Sequence, residues 1–201
     1  KLYDVIKDLD DCEKLQSDLS GLAAWSRTWL LRFNAEKCVV LRIRESIKYM
    51  YTLNGIPLHS VPKQKDLGIT ISNTLTPSRH IALTVTKAMQ RLGMIRRCFT
   101  RLSEPKLRTL FTSLVRPLLE YGSIVGNPWM KKDIGALDKV QRRCEKMCMD
   151  DSLQLESLSV RRDRTDLCET YKFLNRKYKT DPDTLFSYPH RQLRGNDQKL
   201  F

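Results

Sequence analysis

The sequence predicts an α+β fold in which a long helix and a small antiparallel sheet are followed by a mostly helical region. Apolar residues recur at helical spacing near the start, and short β-branched runs then alternate with turn residues. From Thr76 onward the helical period returns. We therefore expect three segments, residues 1–75, 76–150 and 151–201, the last holding one helix and a mobile basic tail at 191–200.

The charge balance is the strongest bulk signal in the sequence. The chain has 201 residues with 36 Lys and Arg against 23 Asp and Glu, a net charge of +13. Such an excess attracts polyanions, and Lys and Arg contacts to phosphates supply most non-specific affinity for nucleic acid. Nucleic acid is thus the favoured partner. A solvated basic surface, or docking to an acidic partner, remains the alternative.

Membrane and small-molecule partners find no support in the sequence. No signal peptide is visible, and the most apolar helical run carries Arg116 and Glu120, which argues against a bilayer helix. The six cysteines are scattered without a C-x-x-C spacing, and there are only three His, so we expect no metal site and reduced, buried thiols. Reduced thiols indicate the nucleus or the cytoplasm.

A Leu-Asp-Asp stretch near the start of the chain allows two interpretations. Polymerases present metal-binding carboxylates as such a pair, in a tight turn between short strands. Here Glu13 follows Asp10 by three residues, as in a capping box, and helical spacing then continues. We therefore predict that Asp10 and Asp11 begin a helix over about residues 11–31. Its inward face is formed by Leu15, Leu19, Leu22 and Trp29.

Short strands are predicted after this helix. The run CVVLRI at residues 38–43 is β-branched and reads as a strand. Asn54-Gly55 between two apolar runs is a strong hairpin signal, and residues 65–72, KDLGITIS, supply another strand. Together with the first helix these strands form the predicted antiparallel sheet.

The next helix combines an apolar stripe with a basic ridge. The stripe consists of Ile81, Val85, Ala88, Leu92, Ile95, Phe99 and Leu102. Arg79, Lys87, Arg91, Arg97 and Arg101 fall within about 120° of arc away from it. Such a ridge can track a phosphate backbone, and a solvated basic face without a ligand is the equal alternative.

Three further helices are expected. Ser103 caps the first of them, and Pro117 should kink it. The second runs over about residues 133–149. The last helix is expected to turn Leu167, Tyr171, Leu174 and Tyr178 inward.

The order of these segments resembles the reverse transcriptases of non-LTR retrotransposons, the jockey-like group. The matching stretches include DCEKLQSDLSGLAAWSRTWLLRFNAEKCVVLRI, YTLNGIPLHSVPKQKDLGITIS, KAMQRLGMIRRCF, LVRPLLEYGSIVGNPW and LDKVQRRCEKM. The resemblance implies the C-terminal part of a right-hand polymerase palm followed by a helical thumb. In that family the metal-binding Asp pair lies in F-A-D-D, and Lys1-Leu2-Tyr3 resembles the continuation of that motif.

The resemblance carries expectations about chemistry. The catalytic Asp pair would precede Lys1, so the chain alone should not polymerise, and Mg²⁺ would belong to the parent polymerase rather than to this part of it. Lys37 matches a lysine that the family places near the leaving pyrophosphate. Asp66, Leu67 and Gly68 match the primer-grip strand. From the residues alone, an exposed lysine at a helix-to-strand turn is the favoured interpretation of Lys37, whereas Gly68 is equally a bulge or packing glycine.

The thumb resemblance gives the basic helix a role. The residues expected to contact the phosphates of the hybrid duplex of RNA template and DNA primer are Lys87, Arg91, Arg96, Arg97 and Arg101. The remainder of the polymerase, upstream, is a further expected partner. A different class of function remains open, in which a reused retroelement remnant serves as a non-catalytic nucleic-acid-binding or protein-interaction module.

Overall fold

The chain divides into two compact units. The computed structural model describes residues 1–44, 47–99, 101–148, 153–184 and 186. The units are Lys1–His80 and Ile81–Phe201. The tail expected at residues 191–200 lies outside the described residues.

The first unit contains one long helix and short strands. In chain order its elements are α1 (Leu9–Thr28), a 3₁₀ turn (Ala35–Lys37), β1 (Val39–Leu41), β2 (Thr52–Leu53), β3 (Ile56–Pro57), β4 (His59–Val61), β5 (Lys63–Asp66) and β6 (Ile69–Ser72). β2 pairs with β3 and β5 with β6 in antiparallel register, whereas β1 pairs with β4 in parallel. The expected single antiparallel sheet is therefore wrong, because the β2–β3 hairpin lies between β1 and β4 and returns the chain in its original direction.

The start of α1 settles the Leu-Asp-Asp question for this stretch. Asp8 is the N-cap, and its Oδ1 accepts a hydrogen bond from the Asp11 amide at 3.0 Å. Asp11 Oδ2 in turn accepts from the Lys7 amide at 2.9 Å. Asp10 and Asp11 lie in the first turn, as predicted. The cap lies two residues before the expected one, because Asp8 and Asp11 have the capping spacing themselves.

α1 is held to β2 by one side-chain amide. Gln16 Nε2 donates to the Thr52 carbonyl at 3.0 Å, and the Thr52 amide donates to Gln16 Oε1 at 2.8 Å. Cys12 and Tyr51 are buried nearby, and burial raises the pKa of Tyr51 to about 12. The inward face predicted for α1 is wrong at Trp29, which is 65% exposed.

Two hairpin tips use left-handed backbone. Asn54 and Gly55 have φ of 53° and 77°, so the Asn-Gly hairpin is confirmed. Leu67 and Gly68, with φ of 44° and 89°, join β5 to β6. The continuous strand expected at residues 65–72 is therefore wrong. Positive φ at both central residues defines the tight hairpin turn, which leucine at the first of them gave no reason to expect.

The second unit is helical. Its elements are α2 (Ser78–Cys98, beginning in the first unit), α3 (Glu104–Leu110), a π-helical segment (Phe111–Val115), α4 (Arg116–Glu120), α5 (Ser123–Gly126), α6 (Lys131–Glu145), α7 (Leu158–Leu174) and a 3₁₀ turn (Pro182–Thr184). One core cluster joins α2, α3, α4, α6 and the start of α7. Its fully enclosed side chains include Ala88, Leu107, Phe111, Val115, Val140 and Cys144.

The π-helical segment precedes Pro117, where the sequence predicted a distortion. Proline lacks an amide hydrogen and its ring clashes with the carbonyl four residues earlier, so a wider turn at Phe111–Val115 relieves the helix. The side chains that enter the core are Leu107, Phe111, Val115 and Leu119.

The predicted inward face of the last helix is wrong. Leu167 and Tyr171 are 71% and 62% exposed, whereas Leu158 and Arg162 are buried. Helical spacing identifies which residues share a face, but it does not decide which face meets the core.

Candidate nucleic-acid interface

α2 has one face in the core and cations on the rest of its surface. Ile81, Ala88, Leu92 and Ile95 are buried, and the helix contains no Asp or Glu. Its five cations, all exposed, are Arg79, Lys87, Arg91, Arg96 and Arg97. A helix anchored in this way presents positive charge on a rigid support, with no carboxylate of its own to neutralise it.

The helix does not place all the predicted binding residues on one side. At about 100° per residue, Lys87, Arg91 and Arg97 fall within about 120° of arc outside the buried face, whereas Arg96 lies about 180° from Lys87. The helix ends at Cys98, so Arg101 lies on the connection to α3. We call Arg79, Lys87, Arg91 and Arg97 the α2 ridge.

A glycine leaves room for one side chain of the ridge. Arg97 Nη1 lies 3.8 Å from the position that a Cβ would occupy on Gly93, one turn earlier. The guanidinium therefore lies back along the helix surface over Gly93, in the direction that helical side chains take.

None of the predicted binding cations is neutralised by a neighbour in the described part of the chain. Lys87, Arg91, Arg96, Arg97 and Arg101 form no ion pair with any described carboxylate. Exposed guanidinium and ammonium groups without partners are available to phosphates at little desolvation cost.

The cations of α7 have a different environment. Arg161 donates to both carboxylate oxygens of Glu120, the Nη2–Oε2 distance being 3.1 Å, and its Nη1 donates to Glu156 at 3.0 Å. Arg164 Nη2 donates to Glu156 at 2.5 Å. Hydrogen bonds from Arg164 and Arg161 lower the pKa of Glu156. On the same helix Lys172 pairs with Glu169 at 2.6 Å.

Lys37 ends the 3₁₀ turn before β1. Its side chain is exposed, and its amide donates to the Asn34 carbonyl at 3.2 Å and the Asn34 side chain at 3.3 Å. Asn34 is the N-cap of the turn. The lysine is therefore held at a fixed place by its backbone, while its ammonium group extends into solvent.

The predicted primer-grip residues form a hairpin tip rather than a strand interior. Asp66 ends β5 and pairs with Ile69, and its carboxylate forms an ion pair with Lys1. Leu67 is 80% exposed at the tip, with Gly68 beside it. An apolar side chain in left-handed backbone at an exposed tip costs about 1–2 kcal/mol, and strain of this kind concentrates at functional sites.

The described residues do not fit a magnesium pair. Among them, no group of three or more His, Cys, Asp or Glu side chains is placed to hold a metal ion. Two-metal nucleotidyl transfer needs converging carboxylates.

In the described part of the chain, no helix combines the length and apolar character needed to cross a membrane.

One feature of the surface could not be seen in the sequence. It is which cations are paired, since Arg161 meets Glu120 from a distant part of the chain. Helical spacing predicted the α2 ridge itself, and Arg96 could have been excluded from it by the same count.

Comparison with known proteins identifies the relatives of this chain. Over 156 residues it is 27% identical to the probable RNA-directed DNA polymerase from transposon BS of Drosophila melanogaster, covering 74% of this chain and 17% of that protein. The predicted resemblance is confirmed. Over 114 residues the chain is 32% identical to the RNA-directed DNA polymerase from mobile element jockey of the same species. That match covers 54% of this chain and 12% of the relative.

The chain matches only a small part of the length of these two relatives. This chain spans less than a fifth of the length of either polymerase. No family model matches the chain. No solved structure matches it either.

Proposed function

We propose that this chain is a palm and thumb portion of a jockey-type reverse transcriptase that holds the hybrid duplex of RNA template and DNA primer. In this proposal the first unit is the C-terminal palm segment and the second unit is the thumb. Homology to two RNA-directed DNA polymerases supports the enzyme class. The binding role rests on the residues of α2.

The α2 ridge is the observation that carries the proposal. Lys87, Arg91 and Arg97 are exposed on one side of a helix whose other side is in the core, and no described carboxylate neutralises them. A ridge of cations on a rigid helix suits the regular phosphates of a duplex and needs no contact to base edges. An RNA–DNA hybrid is recognised by such shape and charge contacts.

The first unit takes a supporting role. Leu67 and Gly68 form an exposed tip that we propose to approach the primer end, and Lys37 is proposed to reach the leaving pyrophosphate in the complete polymerase. Because the described carboxylates do not converge on a metal, the proposal assigns no metal-binding role to the described part of this chain.

A second candidate function is a protein-interaction module. Val160, Leu167 and Tyr171 are 49%, 71% and 62% exposed on α7, an apolar surface that a partner could cover. Such a module would keep its fold while binding no hybrid, so the measurement of hybrid binding separates the two candidates.

The proposal is tested by fluorescence anisotropy of the full chain with a labelled RNA–DNA hybrid across a salt series. The informative variant is Lys87→Gln/Arg91→Gln/Arg97→Gln. Each phosphate contact contributes about 0.7–0.9 to the slope of log K against log salt, so we expect the slope to fall by about 2–3 in this variant.

The control removes the same charge elsewhere. Lys7→Gln/Lys14→Gln/Lys63→Gln changes three exposed lysines of the first unit. It should leave the slope within about 1 of the wild-type value. Absence of hybrid binding, or equal losses in both variants, would refute the role of the α2 ridge and favour the protein-interaction module.

A further inference from the structure

α6 carries a second basic face, denser than the α2 ridge. At about 100° per residue its outward cations fall within about 100° of arc. They are Lys132, Lys139, Arg142, Arg143 and the C-cap residue Lys146. The sixth residue in that arc is Gly135, so the face carries no apolar side chain. From Lys132 to Lys146 the face extends about 21 Å. All five cations are exposed.

The carboxylates of α6 do not neutralise this face. Asp133 is buried, on the opposite side of the helix. Glu145 accepts a hydrogen bond from Gln141 Nε2 at 3.1 Å, and Asp138 lies beyond the edge of the arc. Within the described residues none of the five cations forms an ion pair. The face therefore keeps its full charge for an external polyanion.

One contact relates this face to α2. Arg143 Nη1 lies 4.0 Å from Met89 Sδ. Arg96 follows Met89 by seven residues, or two helical turns, and so lies on the same side of α2. Arg96 therefore lies on the side of α2 that Arg143 contacts. This side is remote from the α2 ridge.

An exposed aromatic ring lies just before the N-terminal end of α6, which carries this face. Trp129 immediately precedes the N-cap Met130 and is 61% exposed. Among the described aromatic side chains it stacks on none. Unpaired bases stack on such a ring, whereas bases within a duplex stack on each other. A cationic row beside an aromatic platform is the arrangement that binds single strands.

We infer that the outer face of α6, with Trp129 at one end and Arg96 at its side, binds single-stranded nucleic acid. This surface goes beyond the proposed function, because its ligand and its helix differ from those of the α2 ridge. A lipid surface fits less well, because the apolar face of α6 is buried in the core and cannot insert into a bilayer.

The test crosses two ligands with two variants of the full chain. The ligands are a fluorescein-labelled oligouridylate of about 20 nucleotides and the RNA–DNA hybrid. The α6 variant is Lys139→Gln/Arg142→Gln/Lys146→Gln, and the matched α2 variant is Lys87→Gln/Arg91→Gln/Arg97→Gln. We expect the α6 variant to bind oligouridylate at least about tenfold more weakly than wild type and to bind the hybrid within about threefold of wild type. We expect the α2 variant to bind the hybrid at least about tenfold more weakly and oligouridylate within about threefold of wild type.

A second readout is specific to the aromatic platform. In a Trp25→Phe/Trp29→Phe background, Trp129 is the remaining tryptophan. Oligouridylate should quench its emission, and Trp129→Ala should weaken oligouridylate binding without changing the unfolding midpoint of the chain.

Several outcomes would overturn the inference. The first two are an unchanged oligouridylate affinity in the α6 variant and an equal loss of affinity for both ligands in that variant. The third is Trp129 emission that oligouridylate does not quench. The fourth is polyglutamate binding as tight as oligouridylate binding, which would assign the face to an acidic polypeptide. Loss of oligouridylate binding in the α6 variant, with the α2 variant binding hybrid normally, would support the inference and refute the proposed function alone.

Discussion

The second unit contains two kinds of charged helix. On α2 every cation is exposed and no carboxylate lies in the helix. On α7 the cations alternate with Asp and Glu, and Arg161, Arg164 and Lys172 are all in ion pairs. The two helices have similar numbers of cations, yet only on α2 do they remain available to a ligand.

We propose that pairing, rather than the count of charges, distinguishes the surface that binds nucleic acid. Arg161 joins α7 to Glu120 of α4 and to Glu156 before α7, so its charge stabilises the fold. Arg91 contacts no such group among the described residues, so its charge is not used in folding. The count of 36 Lys and Arg therefore overstates the number of unpaired cations that a nucleic acid would meet.

The largest expected effect on stability comes from removing Arg161, which forms ion pairs with both Glu120 and Glu156. Arg161→Ala leaves Glu120, whose side chain is 27% exposed, without its two hydrogen bonds, and we expect the free energy of unfolding to fall by about 1–3 kcal/mol. Arg91→Ala should change it by less than about 0.5 kcal/mol. Urea unfolding followed by circular dichroism measures both. Equal losses of unfolding free energy in the two variants would show that the cations of α2 and α7 contribute alike to stability.

A smaller effect is expected when single arginines of α2 are removed, and it concerns the salt dependence of hybrid binding. Arg91→Ala should reduce the salt slope of hybrid binding by about 1, because it removes one phosphate contact. Arg96→Ala should leave that slope nearly unchanged, because Arg96 lies away from the α2 ridge. Anisotropy titrations of the two single variants decide this. A larger change for Arg96 would mean that the hybrid lies on the α6 side of the helix.

The smallest effect is the pH dependence of the paired carboxylates. Arg164 and Arg161 lower the pKa of Glu156, and Lys172 and Tyr178 lower that of Glu169. A carboxyl group whose pKa is lowered by folding stabilises the fold above its ordinary pKa, near 4.3, and this stability is lost as the pH falls through the lowered value. We expect the unfolding temperature to decline below about pH 5.

The pH effect can be assigned by substitution. Glu156→Gln/Glu169→Gln should show a shallower decline, because amides do not titrate in this range. The α2 variant Lys87→Gln/Arg91→Gln/Arg97→Gln should decline as wild type does. A decline that is unaltered by the glutamine substitutions would mean that other carboxylates carry the acid sensitivity.

Local signals in the sequence predicted the parts of the fold that local forces determine. The first helix, the Asn54-Gly55 turn and the helix change near Pro117 follow from capping, turn and proline chemistry. The turn at Leu67 was missed because leucine does not ordinarily adopt positive φ. There, pairing of β5 with β6 overrides the preference of the residue.

Long-range contacts explain the remaining differences. The parallel pairing of β1 with β4 depends on the path of the intervening chain. Which face of α7 is buried depends on its neighbours, and the buried face carries Leu158 and Arg162 rather than the residues that spacing assigned to the core. The α2 ridge was predictable because an amphipathic helix without carboxylates has one arrangement compatible with a core.

The central claim, that unpaired rather than total charge binds the hybrid, is tested most directly by two variants that remove equal charge. One is Lys87→Gln/Arg91→Gln/Arg97→Gln, and the other is Arg108→Gln/Arg164→Gln/Lys172→Gln, which removes three exposed cations paired with Glu104, Glu156 and Glu169. At about 0.1 M salt we expect hybrid affinity to fall at least about tenfold in the first and to stay within about twofold in the second. Equal losses would contradict the claim.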